Sequence, residues 1–316
     1  MNAVDFRADL DQIESALNRL ADSVADGSIG WPTDLGGKRL LLTGMGSSYF
    51  AADVCARRLR VAGLNAVAEL ASVVASWPPS PDLVVIAISA NGGSGETLAA
   101  VESHIGVSQV IALTNRIDSE LGLRSDLVID MCAGVETGGV ACRSFRNTIG
   151  SLLALETRLV GGIDAVATLR RAAAASTDLL NRSEVWLPPV LDALASPDGA
   201  WFLAPAERLS SALQGALMVR EGPRRWAAGC ETGDWNHVDV YLTKTLDYRA
   251  VVFTGSRYDA EAARWMSERG STSVAVGGSF PGARYAIRYS GDHETAVALL
   301  TEPLVAELTA YTWWAE

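Results

Sequence analysis

The sequence is poor in the residues that build metal sites and membrane spans. Its 316 residues include only three histidines and four cysteines, and no two cysteines form a CxxC pair. The histidines lack the spacing of metal ligands, so we predict neither a metal nor another cofactor. No run of about 18 apolar residues, the length that spans a bilayer, is present. We therefore predict no association with a membrane.

Positive charge is also scarce. Lysine and arginine number 26 against 37 aspartates and glutamates, which gives a net charge of -11. Such a chain repels polyanions, which argues against nucleic acid and anionic membranes as partners. The first segment, MNAVDFRADLDQIESALNRLADSVAD, is charged throughout and is typical of an amphipathic helix, not of a signal peptide. We predict a cytoplasmic protein with reduced thiols.

Short apolar runs alternate with helix-like segments in both halves of the chain. KRLLLTG, DLVVIAIS and QVIALTN mark the first half, and GAWFLAP, RAVVFTGS and TSVAVGG mark the second. This alternation predicts parallel sheets with helices on both faces. We expect an α/β protein of two doubly wound, flavodoxin-like domains. The predicted divisions are an N-terminal helix and lead-in (1–34), a first domain (35–160), a helical linker (161–195) and a second domain (196–316).

In such sheets ligands bind outside the carboxyl ends of the strands, which selects three loops in the first half of the chain. The first is GMGSSYF, where Tyr49 occupies the third glycine position of a dinucleotide fingerprint and so breaks that motif. Its hydroxyls, Ser47 and Ser48, suit a sugar hydroxyl or an oxyanion. They are equally compatible with simple capping of the following helix.

The second loop, in AISANGGSGETLAAVE, brings Ser89, Asn91, Gly92 and Ser94 to a predicted helix N-terminus. Exposed main-chain N–H groups and the helix dipole favour an anion there. The loop has no basic residue, so dipoles and hydroxyls would hold the anion, and its composition also fits a plain turn. The third loop, ETGGVACRSF, adds Arg143, a fixed cation that either faces the ligand or forms a surface ion pair.

Together these loops resemble those of the sugar isomerase (SIS) family of phosphosugar isomerases and binding modules. GMGSSYFAAD is similar to its first sugar-binding turn, AISANGGSGETLAAVE to its phosphate loop, and ETGGVACRSF to its third loop. An alignment without gaps puts the four residues of the second loop on phosphate-binding positions and makes Glu96 a first-turn helix residue. The chain departs from the family's usual residues at Asn91, Gly93, Ala141 and Cys142.

The segment LQGALMVREGPRRWAAGCETGDWNHVDVYL resembles the family's catalytic segment, in which a helix-ending glutamate precedes a histidine by sixteen residues. Glu221 and His237 have that spacing. The resemblance implies that Glu221 moves a proton between C1 and C2, and that His237 opens the sugar ring from the neighbouring subunit of a homodimer. A desolvated carboxylate and an imidazole have pKa values suited to these tasks. Without the resemblance, Glu221 is compatible with a surface position and His237 with a core position.

The expected function is phosphosugar aldose–ketose isomerisation through an enediol, with Glu221, His237 and Arg143 as catalytic residues. Two alternatives stay open. One is deamination or deglycation of an amino-sugar phosphate, and the other is a non-catalytic sugar-phosphate sensor, which the departures at Asn91, Gly93 and Ala141 motivate. The last residues, AYTWWAE, lack the lysine of the tail that amino-sugar enzymes of the family often carry, which disfavours amino-sugar synthesis.

Overall fold

A computed structural model describes all residues from Met1 to Glu316. The ten strands form two sheets: β1 Arg39–Gly44, β2 Asn65–Leu70, β3 Leu83–Ile88, β4 Gln109–Thr114, β5 Leu127–Asp130, β6 Ala200–Ala204, β7 Ala227–Glu231, β8 Arg249–Phe253, β9 Thr272–Val276 and β10 Tyr285–Ile287. The helices are α1 Ala3–Asp11, α2 Ile13–Ala25, α3 Ser47–Val61, α4 Gly95–Glu102, α5 Glu120–Arg124, α6 Arg143–Val160, α7 Ala165–Asn181, α8 Ser183–Leu194, α9 Leu209–Glu221, α10 Thr232–Trp235, α11 Asp259–Glu268, α12 Thr295–Thr301 and α13 Pro303–Ala315. None of these helices combines the length and the apolar character needed to cross a bilayer.

The chain divides into two compact units. The first unit consists of Ser15–Glu136 and Arg143–Arg170 and contains strands β1 to β5. The second unit consists of Met1–Glu14, Thr137–Cys142 and Arg171–Glu316, and contains strands β6 to β10.

The sheet of the first unit has the order β2-β1-β3-β4-β5, with every neighbouring pair parallel. Strand β3, LVVIAI, is buried at all six positions, as expected for the centre of a sheet covered on both faces. Leu41 and Val85 of the sheet pack with Val101 of α4 and Leu121 of α5. The strand order reverses between β1 and β3, so the loops after these two strands meet at the carboxyl edge.

The sheet of the second unit has the order β10-β9-β8-β6-β7 and is also parallel throughout. Counted from β7, this order repeats that of the first unit, with the reversal between β6 and β8. Its core contains an aromatic group in which the rings of Trp201 and Tyr248 stack at 4.1 Å, and Trp235 Nε1 donates to the Tyr248 hydroxyl at 2.6 Å. The prediction of two doubly wound α/β sheets is confirmed.

The N-terminal segment differs from the single helix that the sequence predicts. The helix breaks at Gln12, whose main-chain N–H turns back to the carbonyls of Asp9 and Leu10, and α2 begins at Ile13. Helix α1 packs against α13, with the rings of Phe6 and Trp314 5.9 Å apart. The apolar residues spaced along the segment are nevertheless buried: Phe6, Leu10, Ile13, Leu17 and Leu20.

A buried ion pair links the loop after β6 to the segment between α12 and α13. The guanidinium of Arg208 contacts the carboxylate of Glu302 and the main-chain carbonyl of Thr254. The side chain of Glu302 is 0% exposed. Burial raises the pKa of Glu302 to about 7, although the charge of Arg208 opposes this.

We predict that Glu302 makes stability depend on pH. The pKa of this carboxyl is about 7 in the folded protein against an ordinary value of 4.5. Its stabilising contribution is therefore complete below pH 4.5 and is lost as the pH rises through 7. We expect the free energy of unfolding of the wild type, relative to Glu302→Gln, to fall by about 3 kcal/mol across this range.

Urea unfolding at a series of pH values measures the effect. Glu268→Gln, which removes an exposed carboxylate from α11, is the matched control and should show no such trend. A difference between wild type and Glu302→Gln that stays constant with pH would contradict the prediction.

Candidate functional site

The loop after β1 leads directly into α3 at the carboxyl edge of the first sheet. Gly46 is the N-cap, with φ of 50°, and it has no side chain to occupy the helix end. Ser47 and Ser48 follow as the first helical residues, so neither is the N-cap. The first turn of α3 contains no acidic residue. The first turn of α3 thus supplies no carboxylate of its own to the positive end of the helix dipole.

The loop after β3 depends on a glycine for its shape. Gly92 has a φ of 61°, and a Cβ built on it would lie 1.9 Å from Ser119 Oγ. No other residue fits there without displacing Ser119. Ser89 is buried at the strand end, and Asn91 is exposed beside the glycine. The loop therefore turns sharply and leads into α4.

Helix α4 already holds a carboxylate of its own at its N-terminus. The N-cap Ser94 accepts a hydrogen bond from the Thr97 N–H at 3.4 Å, and its hydroxyl donates to Glu96 Oε2 at 2.8 Å. The main-chain N–H of Glu96 and the Ser94 hydroxyl lower the pKa of Glu96. Glu96 lies in the first turn of α4, as the ungapped alignment predicts. The negative charge of Glu96 lies at the N-terminus of α4, where an external anion would have to bind.

Arg143 begins α6 and is 1% exposed. Its guanidinium donates to the main-chain carbonyls of Ala133, at 3.0 Å, and Val135. The carboxylate of Glu136 accepts from the main-chain N–H groups of Arg143 and Ser144 at 2.6 and 3.2 Å, so it caps α6. Arg143 is therefore not in a surface ion pair, one of its two expected positions. The hydrogen bonds of its guanidinium hold the chain segment before α6 in place.

The rest of the third loop, Thr137–Cys142, belongs to the second unit. The carboxylate of Asp9 on α1 accepts from the N–H groups of Thr137 and Gly138 at 3.2 and 2.7 Å. At the other end of this segment, Gln214 Nε2 of α9 donates to the carbonyl of Ala141 at 2.7 Å. Asp9 and Gln214 are both buried. Sequence reasoning missed them, because nothing local distinguishes either from other polar residues of a helix.

Glu221 ends α9 and is half-buried. The next residue, Gly222, packs so closely on Trp314 that a Cβ would lie 2.8 Å from its ring. Desolvation raises the pKa of Glu221, and the neighbouring charge of Arg220 partly opposes the rise. A carboxylate in this environment is a stronger base than an exposed one, as proton abstraction from carbon requires.

His237 is exposed, whereas Trp235, two residues earlier, is fully buried. The core position considered for His237 is therefore wrong. It follows β7 and α10, close to the carboxyl edge of the second sheet. Glu221 lies at the opposite, amino edge, because α9 runs back across the sheet between β6 and β7. Within the second unit the fold separates these two residues.

Known proteins provide an independent comparison. Residues 36–158 match the SIS domain family model. A glutamine–fructose-6-phosphate aminotransferase (isomerizing) of Sulfurisphaera tokodaii is 25% identical over 208 residues, which are 66% of this chain and 35% of that protein. The chain thus spans about a third of the length of the curated relatives it matches.

Two solved structures have the same fold over nearly their whole length. The C-terminal domain of glucosamine-fructose-6-phosphate aminotransferase from Francisella tularensis superposes with a TM-score of 0.84 at 17% identity, covering 98% of this chain and 96% of that one. Tagatose-6-phosphate ketose/aldose isomerase from Escherichia coli gives 0.82 at 17% identity, covering 100% and 95%. The resemblance inferred from the loops is confirmed by the match of residues 36–158, which include Ser47, Ser89 and Ser94, to the SIS domain family model.

Proposed function

We propose that the protein is a phosphosugar aldose–ketose isomerase. The observation that carries this proposal is a partly desolvated carboxylate, Glu221, at the family spacing from an exposed histidine, His237, in a chain whose first half contains a SIS domain. The names of its relatives support the substrate class, since they act on hexose 6-phosphates.

Two helix starts in the SIS domain are assigned to substrate binding. Ser89, Asn91, Gly92 and Ser94 would bind the phosphate through main-chain N–H groups and hydroxyls at the start of α4. Ser47 and Ser48, at the start of α3, would bind sugar hydroxyls. For phosphate to enter, Glu96 has to release the Ser94 hydroxyl, and the side chain has room to do so because it is exposed.

The proposed reaction moves one proton from carbon to carbon. His237 exchanges a proton with the ring oxygen and the anomeric hydroxyl, which opens the sugar. The Glu221 carboxylate then takes the proton from C2 of the open aldose, leaving an enediol, and returns it to C1 to give the ketose. The accompanying proton shift between O1 and O2 leaves the substrate with the same atoms and electrons. No external reductant or cofactor is consumed.

Arg143 is assigned a positioning role in this scheme. Its guanidinium is buried against the carbonyls of Ala133 and Val135, and so it fixes the course of the third loop. We also propose that residues 35–160 and 196–316 act as the two domains of a cytoplasmic homodimer in which His237 serves the neighbouring subunit. The separation of Glu221 from His237 within one unit supports that arrangement.

Amino-sugar chemistry is the second candidate, because the Sulfurisphaera tokodaii relative is named an aminotransferase. A deaminase or deglycase would release ammonia or an amine from a 6-phosphorylated amino sugar, and an isomerase would not. A sensor would bind the sugar phosphate without converting it.

A thermal-shift screen with sugar phosphates and their parent sugars identifies the substrate class, since a ligand at a hundred times its Kd adds about 2.7 kcal/mol of stability.

Glu221→Gln should lower kcat by about 10²- to 10⁴-fold with little change in KM, because it removes the base and keeps the shape of the side chain. In the wild type, desolvation raises the pKa of Glu221. As the pH is lowered, activity should therefore begin to fall at a higher pH than it would with an exposed glutamate as the base. Steady-state kinetics on the substrate found in the screen measure both effects. Glu184→Gln, an exposed acid on α8, is the control. Unchanged turnover in Glu221→Gln would overturn the isomerase proposal.

Mixing two inactive variants tests whether His237 acts on the neighbouring subunit. If each site takes Glu221 from one subunit and His237 from the other, equal amounts of Glu221→Gln and His237→Ala restore about a quarter of the wild-type sites after subunit exchange. Activity of the mixture, compared with each variant alone, is the readout. If both groups come from one subunit, no activity returns.

Glu96→Gln should strengthen phosphate binding by about threefold, because it removes a like charge from the start of α4. Glu102→Gln, at the far end of the same helix, is the matched control. Inhibition by inorganic phosphate, or the Kd of the substrate phosphate, measures the change. Weaker binding in Glu96→Gln would show that Glu96 contacts the substrate favourably and is not a competitor of the phosphate.

A further inference from the structure

A cleft of about 1040 Å³ opens in the second unit, and none of the residues assigned above lines it. Its walls are the loops after β6, β8 and β9 and the chain segment that precedes α12. A monosaccharide fits easily in a space of this size. The cleft therefore has to be explained separately from the SIS domain loops.

The position of the cleft in the fold is that of a ligand site. The order of the second sheet reverses between β6 and β8, and the cleft lies at the carboxyl ends of these strands. Doubly wound sheets bind ligands at this reversal point. In the first sheet the same point, between β1 and β3, carries the loops to which we assign the sugar phosphate.

The walls of the cleft are held in a fixed shape. A Cβ on Gly255 would lie 3.0 Å from Arg208 Nη2, and a Cβ on Gly278 would lie 2.5 Å from Thr254 Oγ1. The loops approach each other this closely only with glycine at these positions. Arg208 is 5% exposed and is held by Glu302 and the Thr254 carbonyl. A preformed cleft loses little conformational entropy when it binds a ligand.

The charge of the cleft is opposite to that needed for a phosphate. Two of its charged residues have ion-pair partners outside the lining, Arg208 with Glu302 and Asp292 with Arg288. The remaining charged lining consists of three carboxylates and one arginine, with His293 at the mouth: Glu207, Glu231, Asp259 and Arg257.

The helix that starts at the cleft also disfavours an anion. Helix α11 begins with Asp259, whose carboxylate accepts the Gly255 N–H at 2.7 Å, and Glu261 adds a second acid in its first turn. In the first unit the corresponding helix, α4, has a serine as its N-cap. The acidic side chains of the cleft do not form a group that could hold a metal ion. The lining thus favours an organic cation.

The remaining polar groups of the lining are hydroxyls, from Ser256, Ser279 and Thr295. Each of them donates or accepts a hydrogen bond, as sugar hydroxyls also do. We propose that the cleft is a second ligand site, for an unphosphorylated amino sugar whose ammonium group pairs with carboxylates of the lining. This proposal is independent of the isomerase activity, because it uses none of the residues assigned to that reaction.

Calorimetric titration of the full chain with glucosamine tests the proposal, with glucose and N-acetylglucosamine as the uncharged comparisons. We expect the two uncharged sugars to bind about fivefold more weakly or worse, because they lack the ammonium group. The double variant Glu207→Gln/Glu231→Gln should weaken glucosamine binding by at least the same factor. Glu268→Gln, which removes an exposed carboxylate at the far end of α11, is the matched control.

Two further measurements keep this site distinct from the isomerase site. Glu221→Gln should bind glucosamine as the wild type does, and the double variant should keep its affinity for the sugar phosphate found by the screen. If the double variant does not fold, Glu207→Gln alone replaces it, because the Glu207 side chain is exposed.

The proposal is wrong if glucosamine produces no binding heat with the wild type at millimolar concentration. Equal affinity for N-acetylglucosamine, or an unchanged Kd in the cleft variants, would also overturn it. Loss of glucosamine binding in Glu221→Gln would assign the sugar to the isomerase site instead.

Discussion

Parallel strands of one sheet need a connection that carries the chain back to the edge where the first strand began, and most of the connections here contain a helix. This constraint puts the helix N-termini at the carboxyl edge and the helix C-termini at the amino edge. The starts of α3 and α4, with Ser47 and Ser94, therefore meet at one edge of the first sheet. For the same reason Glu221, the last residue of α9, lies at the amino edge of the second sheet, away from His237. The direction of the connecting helices therefore determines at which edge of a sheet each proposed site residue lies.

The two sheets share one topology but have different charges at the reversal of strand order. In the first unit one helix begins at a glycine N-cap and the other at a serine N-cap, whose hydroxyl donates to Glu96. In the second unit aspartate and glutamate side chains line the corresponding cleft, and its buried arginine, Arg208, contacts Glu302. Since fold alone does not determine function, the charge distribution decides what each sheet can bind.

The sequence predicts those parts of the structure that depend on local patterns. Apolar runs such as LVVIAI and the glycines around Asn91 indicated the strands and the loops, and the ungapped alignment with the SIS family placed Glu96 in the first turn of α4. Contacts between residues distant in the chain were not predictable. Asp9 and Thr137, or Arg208 and Glu302, meet only after the sheets have formed, and no local signal marks either pair. The buried bonds of Arg143 are local in sequence, yet arginine is so seldom buried that its residue type favours the surface.

The packing of α1 against α13 has a consequence for biosynthesis. Phe6 leaves the ribosome long before Trp314, the ring on which it packs, has been made. Some 300 residues have to be added in between, which takes about 15 to 60 s at ordinary elongation rates. During that time the part of α1 that packs on α13 lacks its native partner. A nascent chain can thus complete the strands of its first sheet while the second unit still lacks its final helix.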